Sequence, residues 1–338
     1  MLRFSELQKN HFIKGMILVF MALMLAFPQS TYQGASSGLL LWFHNVLPNL
    51  LPCVILSNLM VQLNITRLIS KVFYPFLGKM FRVSMQGCYP IAIGFLSGLP
   101  MGAKSTADLV GEHKIRREEG QFLLGMCNNA SPIFIIGYIA ITQLKLPQIK
   151  YALFAIIYGS SILGAVLMRF LLHGYTRKTF RFTGKSGELP YETKTLLHSM
   201  EYTDRASSPR FSFSLLDRSI MDGFETVTKV GGYIILFSIL AQLFHTLGPD
   251  IGSLKAFIMG IFEITTGISQ ICKSSLEPQI KIVLVTVLTT FGGFSGIAQT
   301  KSVIGNQGLS IKSYIMVKLL SAGISLAIAY LYAARLLP

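Results

Sequence analysis

Interrupted apolar segments dominate this sequence and limit the folds that are open to it. A helix needs roughly 20 apolar residues to cross a bilayer. Residues 148–173 and 311–337 reach that length without a break, whereas most other segments contain glycine, proline or polar residues where an ordinary span has leucine. The apolar segments lie at about residues 12–28, 35–63, 86–98, 119–143, 148–173, 229–247, 253–273, 278–291 and 311–337.

The composition indicates a membrane location. Hydrophobic residues make up 51% of the 338 positions and charged residues only 13%, against about 25% charged in soluble domains. The mean hydropathy is +0.55. The formal net charge of +15 is typical of the basic loops that orient membrane proteins, and no basic stripe with aromatic residues indicates a nucleic-acid partner. We therefore predict an all-α polytopic membrane protein whose partner is the lipid bilayer.

The chain divides into four regions. Residues 1–30 predict a retained N-terminal membrane helix, because no clear cleavage site follows their apolar stretch. Residues 31–173 and 211–338 form two gate-like halves, and a polar linker at 174–210 separates them. The linker and the loop at 64–83 are rich in basic residues, so both are candidates for the cytoplasmic side.

Six breaks interrupt the apolar segments, three in each half. They read LPNLLP, GFLSGLPMG and CNNASP in the first half, and KVGG, FEITTG and FGGFSG in the second. Their order predicts two inverted-like repeats with broken or re-entrant helices. Paired interruptions are typical of transporters that bind a solute near the middle of the membrane. Non-helical backbone at that depth is tolerated only where it is buried or lines a wet cavity.

The breaks also supply the candidate substrate-binding residues. A broken helix exposes unpaired N–H groups at one new end and unpaired C=O groups at the other. The N–H end carries partial positive charge and suits an anion, whereas the C=O end suits a cation. The candidates are Ser97, Gly98, Pro100, Gly102, Lys104, Asn128, Asn129, Ser131, Thr265, Thr266, Gly292, Gly293, Ser295 and Gln299.

Several candidates have a structural alternative. Lys104 either pairs with a substrate carboxylate or extends to the membrane surface from a polar connection. The small residues around Gly98 either expose backbone to a ligand or let helices pack closely. Asn128 and Asn129 either contact a ligand or ion, or join helices through hydrogen bonds.

Glu263 is the candidate coupling residue. It is an acid with apolar flanks, which suits the binding of a proton or a sodium ion, or an ion pair with a buried base. The sequence shows no nucleophile–base set, phosphate loop or HExxH motif. Its four cysteines stand singly. We therefore predict no enzyme, no metal site and no cofactor.

Four motifs in this order resemble the YlbJ family of sporulation integral membrane proteins: GFLSGLPMGAKSTADL, CNNASPIFIIG, FEITTG and FGGFSGIAQ. The resemblance covers roughly residues 35–335. It implies a nucleoside-recognition, or gate, domain shared with the spore-maturation proteins SpmA and SpmB and similar to concentrative nucleoside transporters. It also implies action in the outer forespore membrane, which the mother cell supplies. The family is linked to delivery of dipicolinate across that membrane.

The functional hypothesis that follows is a membrane transporter for a small organic anion, with dipicolinate as the candidate. One alternative is a nucleoside-type solute carrier. Another is a non-transporting assembly protein of the forespore membrane. The expected partners are the anionic solute, the bilayer and a coupling ion, proton or sodium, and the sequence leaves a homo-oligomer open.

Overall fold

A computed structural model describes residues 2–63, 65–175 and 211–336, and within these ranges the chain is helical with no β-strand. The predicted linker at 174–210 lies, apart from its first two residues, outside the described residues. The described chain is an all-α polytopic membrane protein, because five of its helices are long and apolar enough to cross a bilayer. These are Pro28–Gln62, Pro147–Leu171, Phe213–Leu247, Pro278–Ile304 and Ile311–Arg335.

Before the linker, the described chain contains nine α-helices. Proline at the first helical position, as at Pro28, begins a helix without losing a hydrogen bond. The apolar part of the first helix is shorter than the five spans. The α-helices are α1 (Leu2–Ala26), α2 (Pro28–Leu41), α3 (Leu47–Gln62), α4 (Ile65–Phe73), α5 (Lys79–Phe81), α6 (Cys88–Ser97), α7 (Met101–Gly111), α8 (Arg117–Cys127) and α9 (Lys150–Tyr175). Three segments are π-helical, with wider turns than an α-helix: Trp42–Val46, Tyr74–Gly78 and Phe134–Gln143. The segment Pro147–Ile149 is 3-10 helical, with tighter turns.

The second half contains six α-helices. Ser212 caps the first of them, because its hydroxyl oxygen accepts a hydrogen bond of 3.3 Å from the main-chain N–H of Leu215. The helices are α10 (Phe213–Leu247), α11 (Ser253–Phe262), α12 (Ile264–Lys273), α13 (Pro278–Phe291), α14 (Gly293–Ile304) and α15 (Ile311–Leu336).

The break predicted at KVGG is wrong. Helix α10 runs without interruption through residues 229–232. Its Gly231 serves close packing, because a Cβ there would lie 2.7 Å from the indole ring of Trp42. The LPNLLP segment is also helical, and α3 continues through Pro52 with the π-helical turn Trp42–Val46 just before it. LPNLLP and KVGG, the first predicted break of each half, therefore both lie within helices.

Each half contains a hairpin of two short helices, α6–α7 in the first and α11–α12 in the second. Their legs meet through glycines. A Cβ on Gly94 would lie 3.0 Å from the Cα of Gly102, and one on Gly267 would overlap the main chain of Gly260. A leg of ten residues is about 15 Å long, half of the hydrocarbon core. Both hairpins are therefore short enough to enter the bilayer and return to the same side.

An interrupted helix and then a long helix follow the hairpin in each half. Helix α8 ends at Cys127 and the chain becomes helical again at Pro132, whereas α13 ends at Phe291 and α14 begins at Gly293. In the described ranges two of the five spans lie in the first half and three in the second, and each half has one hairpin. The order of a hairpin, an interrupted helix and a long helix therefore recurs in both halves.

Helix α10 joins the two halves beside the breaks. It packs along α2, where a Cβ on Gly34 would lie 2.8 Å from the Cα of Ile239 and a Cβ on Gly38 would lie 2.9 Å from the Cα of Ile235. It also contacts α3 and α14. This packing places the middle of α10 against the site described next.

Candidate functional site

The breaks of both halves meet at one cavity. Its volume is about 100 Å³. A buried water needs about 10–15 Å³ on this measure, so the cavity has room for several waters or for a small organic molecule. The polar side chains around it come from α3 and the π-helical turn before it, from both hairpins, from the first break and from α14. They are Asn45, Asn49, Ser97, Ser131, Glu263, Thr265, Ser295 and Gln299.

The structure divides the sequence-based candidates into two groups. One group lines the cavity: Ser97, Ser131, Glu263, Thr265, Gly292, Ser295 and Gln299. The other group lies outside the described lining: Gly98, Pro100, Gly102, Lys104, Asn128, Asn129, Thr266 and Gly293.

The tip of the first hairpin fits into the break between α8 and the following π-helix. Gly98 has φ 78°, a conformation that favours glycine, and a Cβ on it would lie 2.6 Å from the main-chain nitrogen of Ser131. The peptide bond between Leu99 and Pro100, just after Gly98, is cis. A Cβ on Gly102 would overlap the carbonyl of Cys127. Close main-chain packing therefore explains the glycines, while Ser97 faces the cavity.

Lys104 lies on α7, away from the cavity lining. Its Nζ is 3.1 Å from Oδ2 of Asp108, and the two side chains are 30% and 45% exposed. An exposed pair four residues apart on one helix stabilises the helix by only about 0.3–0.5 kcal/mol. The structure does not bring the ammonium group of Lys104 to the cavity, and the geometry agrees with the surface alternative for this residue.

Asn128 and Asn129 are buried and contact helices of the second half. The Nδ2 of Asn128 donates to Oγ1 of Thr300 at 2.7 Å and to Oη of Tyr314 at 3.1 Å. The Oδ1 of Asn129 accepts a hydrogen bond of 2.7 Å from Nζ of Lys318. These amides therefore join the first break to α14 and α15. The sequence prediction missed Lys318, although a lysine inside the last apolar segment is a recognisable signal.

Glu263 forms the tip of the second hairpin and is 2% exposed. It separates α11 from α12 with an extended backbone, φ −143° and ψ 117°. Its carboxylate accepts a hydrogen bond of 2.8 Å from the main-chain N–H of Thr266 and another from the hydroxyl of Thr265. It thereby caps α12. In the described chain its hydrogen-bond partners are these two threonines, and no base pairs with it.

The start of α14 presents a helix N-terminus to the cavity. Gly292, with φ 86°, ends α13 and precedes α14, and no side chain caps the new helix. Ser295 and Gln299 follow on the cavity side, where Nε2 of Gln299 donates to Oγ of Ser295 at 3.1 Å. The first N–H groups of a helix carry partial positive charge. The cavity therefore combines the N-terminal end of α14, which suits an anion, with the buried carboxylate of Glu263.

Two cavity residues that the sequence prediction missed are Asn45 and Asn49. They lie one turn apart, in the π-helical turn before α3 and at the start of α3, and Nδ2 of Asn49 donates to the carbonyl oxygen of Asn45 at 2.7 Å. Such π-helical turns are frequent at functional sites. The signal in the sequence is two amides at helical spacing inside an apolar segment.

The chain is similar to a known sporulation membrane protein. The chain is 28% identical over 326 residues to the sporulation integral membrane protein YlbJ of Bacillus subtilis (strain 168), an alignment that covers 91% of this chain and 79% of that protein. No protein-family model matches the chain. No solved structure matches it significantly. The similarity extends well beyond the four motifs to most of the chain.

Proposed function

We propose that the protein is a membrane transporter that moves a small organic anion through the cavity between its two hairpins. The observation that carries this proposal is the meeting of both hairpin tips and both helix breaks at one cavity. Transporters built from inverted repeats bind their solute at such interrupted helices. The two hairpins would then control access to the cavity from opposite faces of the membrane.

The polar groups around the cavity suit a carboxylate. The uncapped N-terminus of α14 supplies partial positive charge. Asn45, Asn49 and Gln299 carry amide N–H groups that can donate to carboxylate oxygens. Dipicolinate, a small aromatic dicarboxylate, is our candidate substrate, because the resemblance to the YlbJ family implies it.

Glu263 gives this transporter a means of coupling. The ionised carboxylate of Glu263 would repel an anionic substrate in the same cavity, because the dielectric constant there is low. A proton on Glu263 removes that repulsion and supplies a donor to the substrate. We therefore propose that anion and proton bind together and cross together, with Glu263 as the proton carrier.

The cellular role that we propose is delivery of dipicolinate across the outer forespore membrane during sporulation. It is supported by the similarity to a sporulation integral membrane protein over 91% of the chain. The chain would act in the membrane that separates the mother cell from the developing spore.

Uptake into proteoliposomes tests the proposal. Vesicles that contain the purified protein should accumulate radiolabelled dipicolinate when the outside is more acidic than the inside, and protein-free vesicles should not. Equal uptake in both vesicle types, together with no binding of dipicolinate to the purified protein, would exclude this substrate. Failure of every solute tested would favour the non-transporting assembly protein.

A nucleoside-type carrier is the second candidate, and one observation favours it. The described cavity lining contains three amide side chains and a carboxylate but no lysine or arginine. Amide groups also suit the neutral base and ribose of a nucleoside. Competition separates the two: an excess of unlabelled nucleosides should leave dipicolinate uptake unchanged, whereas aromatic dicarboxylates should block it. The opposite pattern would establish the nucleoside carrier.

A further inference from the structure

Lys318 is a buried lysine without a carboxylate partner in the described chain. It lies inside the membrane-spanning α15 and is 1% exposed. Its Nζ donates to Oδ1 of Asn129 at 2.7 Å and lies 5.8 Å from the centre of the Tyr314 ring. A charge in this position is costly unless the surroundings stabilise it.

The atom that accepts a hydrogen bond from Lys318 is a neutral amide oxygen. An ammonium group has three N–H donors, and the described structure gives this one a single hydrogen-bond acceptor. The neighbouring Asn128 is fully buried, and its Oδ1 has no hydrogen-bond partner. Helix α8 ends at Cys127, immediately before Asn128 and Asn129, and the C-terminal end of a helix carries partial negative charge. Amide oxygens, helix end and aromatic ring all favour a cation.

We propose that the break at Asn128 and Asn129 forms a monovalent-cation site, which Lys318 fills with its own tethered ammonium group. The candidate ligands are Oδ1 of Asn129, which already accepts from Lys318, and the unpartnered Oδ1 of Asn128. Neutral oxygens fit a singly charged ion of ammonium or potassium type better than a divalent ion. The tethered cation fixes the interrupted helix of the first half to the last helix of the second half. The site lies outside the described cavity lining, so it does not depend on the proposed transport.

Two substitutions of Lys318 test the site by rescue. Lys318→Ala removes the ammonium and leaves space for an ion, whereas Lys318→Met removes the charge but keeps most of the side-chain volume. Lys312→Ala, at an exposed position on the same helix, is the matched control. The melting temperature of each purified protein is measured in ammonium, methylammonium, potassium or sodium chloride. The same concentration of N-methylglucamine chloride, whose cation is too large to enter, controls for ionic strength.

We expect Lys318→Ala to melt several degrees below the wild type in N-methylglucamine chloride and to regain most of that loss in one of the small cations. Lys318→Met should lose stability without cation-specific rescue, and Lys312→Ala and the wild type should not respond. Rescue of both Lys318 variants, or of neither, would overturn the proposal. If Lys318→Ala aggregates in N-methylglucamine chloride, recovery of monodisperse protein in a small cation counts as rescue, and aggregation in every salt counts against the site.

Discussion

The main-chain N–H of Leu99 donates a hydrogen bond of 2.7 Å to the carbonyl oxygen of Asn129. The donor lies at the tip of the first hairpin, and the acceptor lies in the break after α8. The hairpin thereby pairs a carbonyl group that the interrupted helix leaves without its usual partner. The side chain of Leu99 also reaches the second half, because a Cβ on Gly296 would lie 3.6 Å from its Cδ1. A single tip residue therefore contacts the interrupted helices of both halves.

Gly98→Ala should separate the hairpin tip from the break. The new Cβ would lie 2.6 Å from the nitrogen of Ser131, and φ at this position is 78°. Overpacking of this kind costs about 1–3 kcal/mol, and a backbone with ψ −158° at this φ, which almost only glycine adopts, adds about 1–3 kcal/mol. We expect a clearly lower melting temperature in detergent. Gly159→Ala, where a Cβ meets nothing within 4 Å in the middle of α9, should be neutral or stabilising. Equal stability of the two variants would contradict the tight packing of the tip.

Glu263→Gln should uncouple transport while preserving the fold. The oxygen of the glutamine amide can still accept from the N–H of Thr266, so the helix cap remains. The amide cannot exchange a proton, so accumulation driven by a pH gradient should be lost while exchange of substrate across the membrane continues. Glu225→Gln, at an exposed carboxylate paired with Lys229, is the control and should transport normally. Proton-driven accumulation by Glu263→Gln would show that this residue is not the proton carrier.

Lys104→Ala should have little effect on transport. The ammonium pairs with Asp108 on a partly exposed helix face, so its loss costs only about 0.3–0.5 kcal/mol. We expect uptake within about twofold of the wild type, because about 0.3–0.5 kcal/mol, at about 1.4 kcal/mol for each tenfold change, is a factor of about two. A much larger loss of uptake by a variant with an unchanged melting temperature would return Lys104 to the substrate path.

Asn49→Asp should distinguish an anionic substrate from a neutral one. The substitution places a carboxylate on the cavity lining and removes an amide donor. Repulsion between like charges at this range should raise the KM for dipicolinate by about tenfold or more. Asn306→Asp, in an exposed turn, should leave the KM unchanged. An Asn49→Asp variant with a wild-type KM would show that the anion does not pass this residue.

The second and third breaks of each half could be predicted from the sequence because their causes are local. Gly98, Asn128, Glu263 and Gly292 are residues that end helices or need polar partners, and each stands inside an apolar segment where nothing else explains it. The order of the breaks also predicts two inverted-like repeats, and the recurrence of hairpin, interrupted helix and long helix in both halves agrees with a repeat.

Other features could not be predicted because they depend on packing between distant segments. Gly231 looks like a helix breaker in the sequence, yet its purpose is to admit the ring of Trp42 from another helix. The side-chain direction of Lys104 is set by Asp108, four residues away, and that of Asn129 by Lys318, 189 residues away. The sequence shows which residues are unusual for a membrane segment, and only the packed structure shows which of them face the cavity.

The half-length hairpins have an electrical consequence. A leg of about 15 Å ends near the middle of a hydrocarbon core of about 30 Å, so the cavity at the two tips lies partway through the voltage drop. A unit charge that crosses the whole membrane changes its energy by about 2.3 kcal/mol per 100 mV. A charge that reaches Glu263 from either face crosses about half of that drop. The membrane potential therefore acts on binding at the cavity itself, before any solute has crossed.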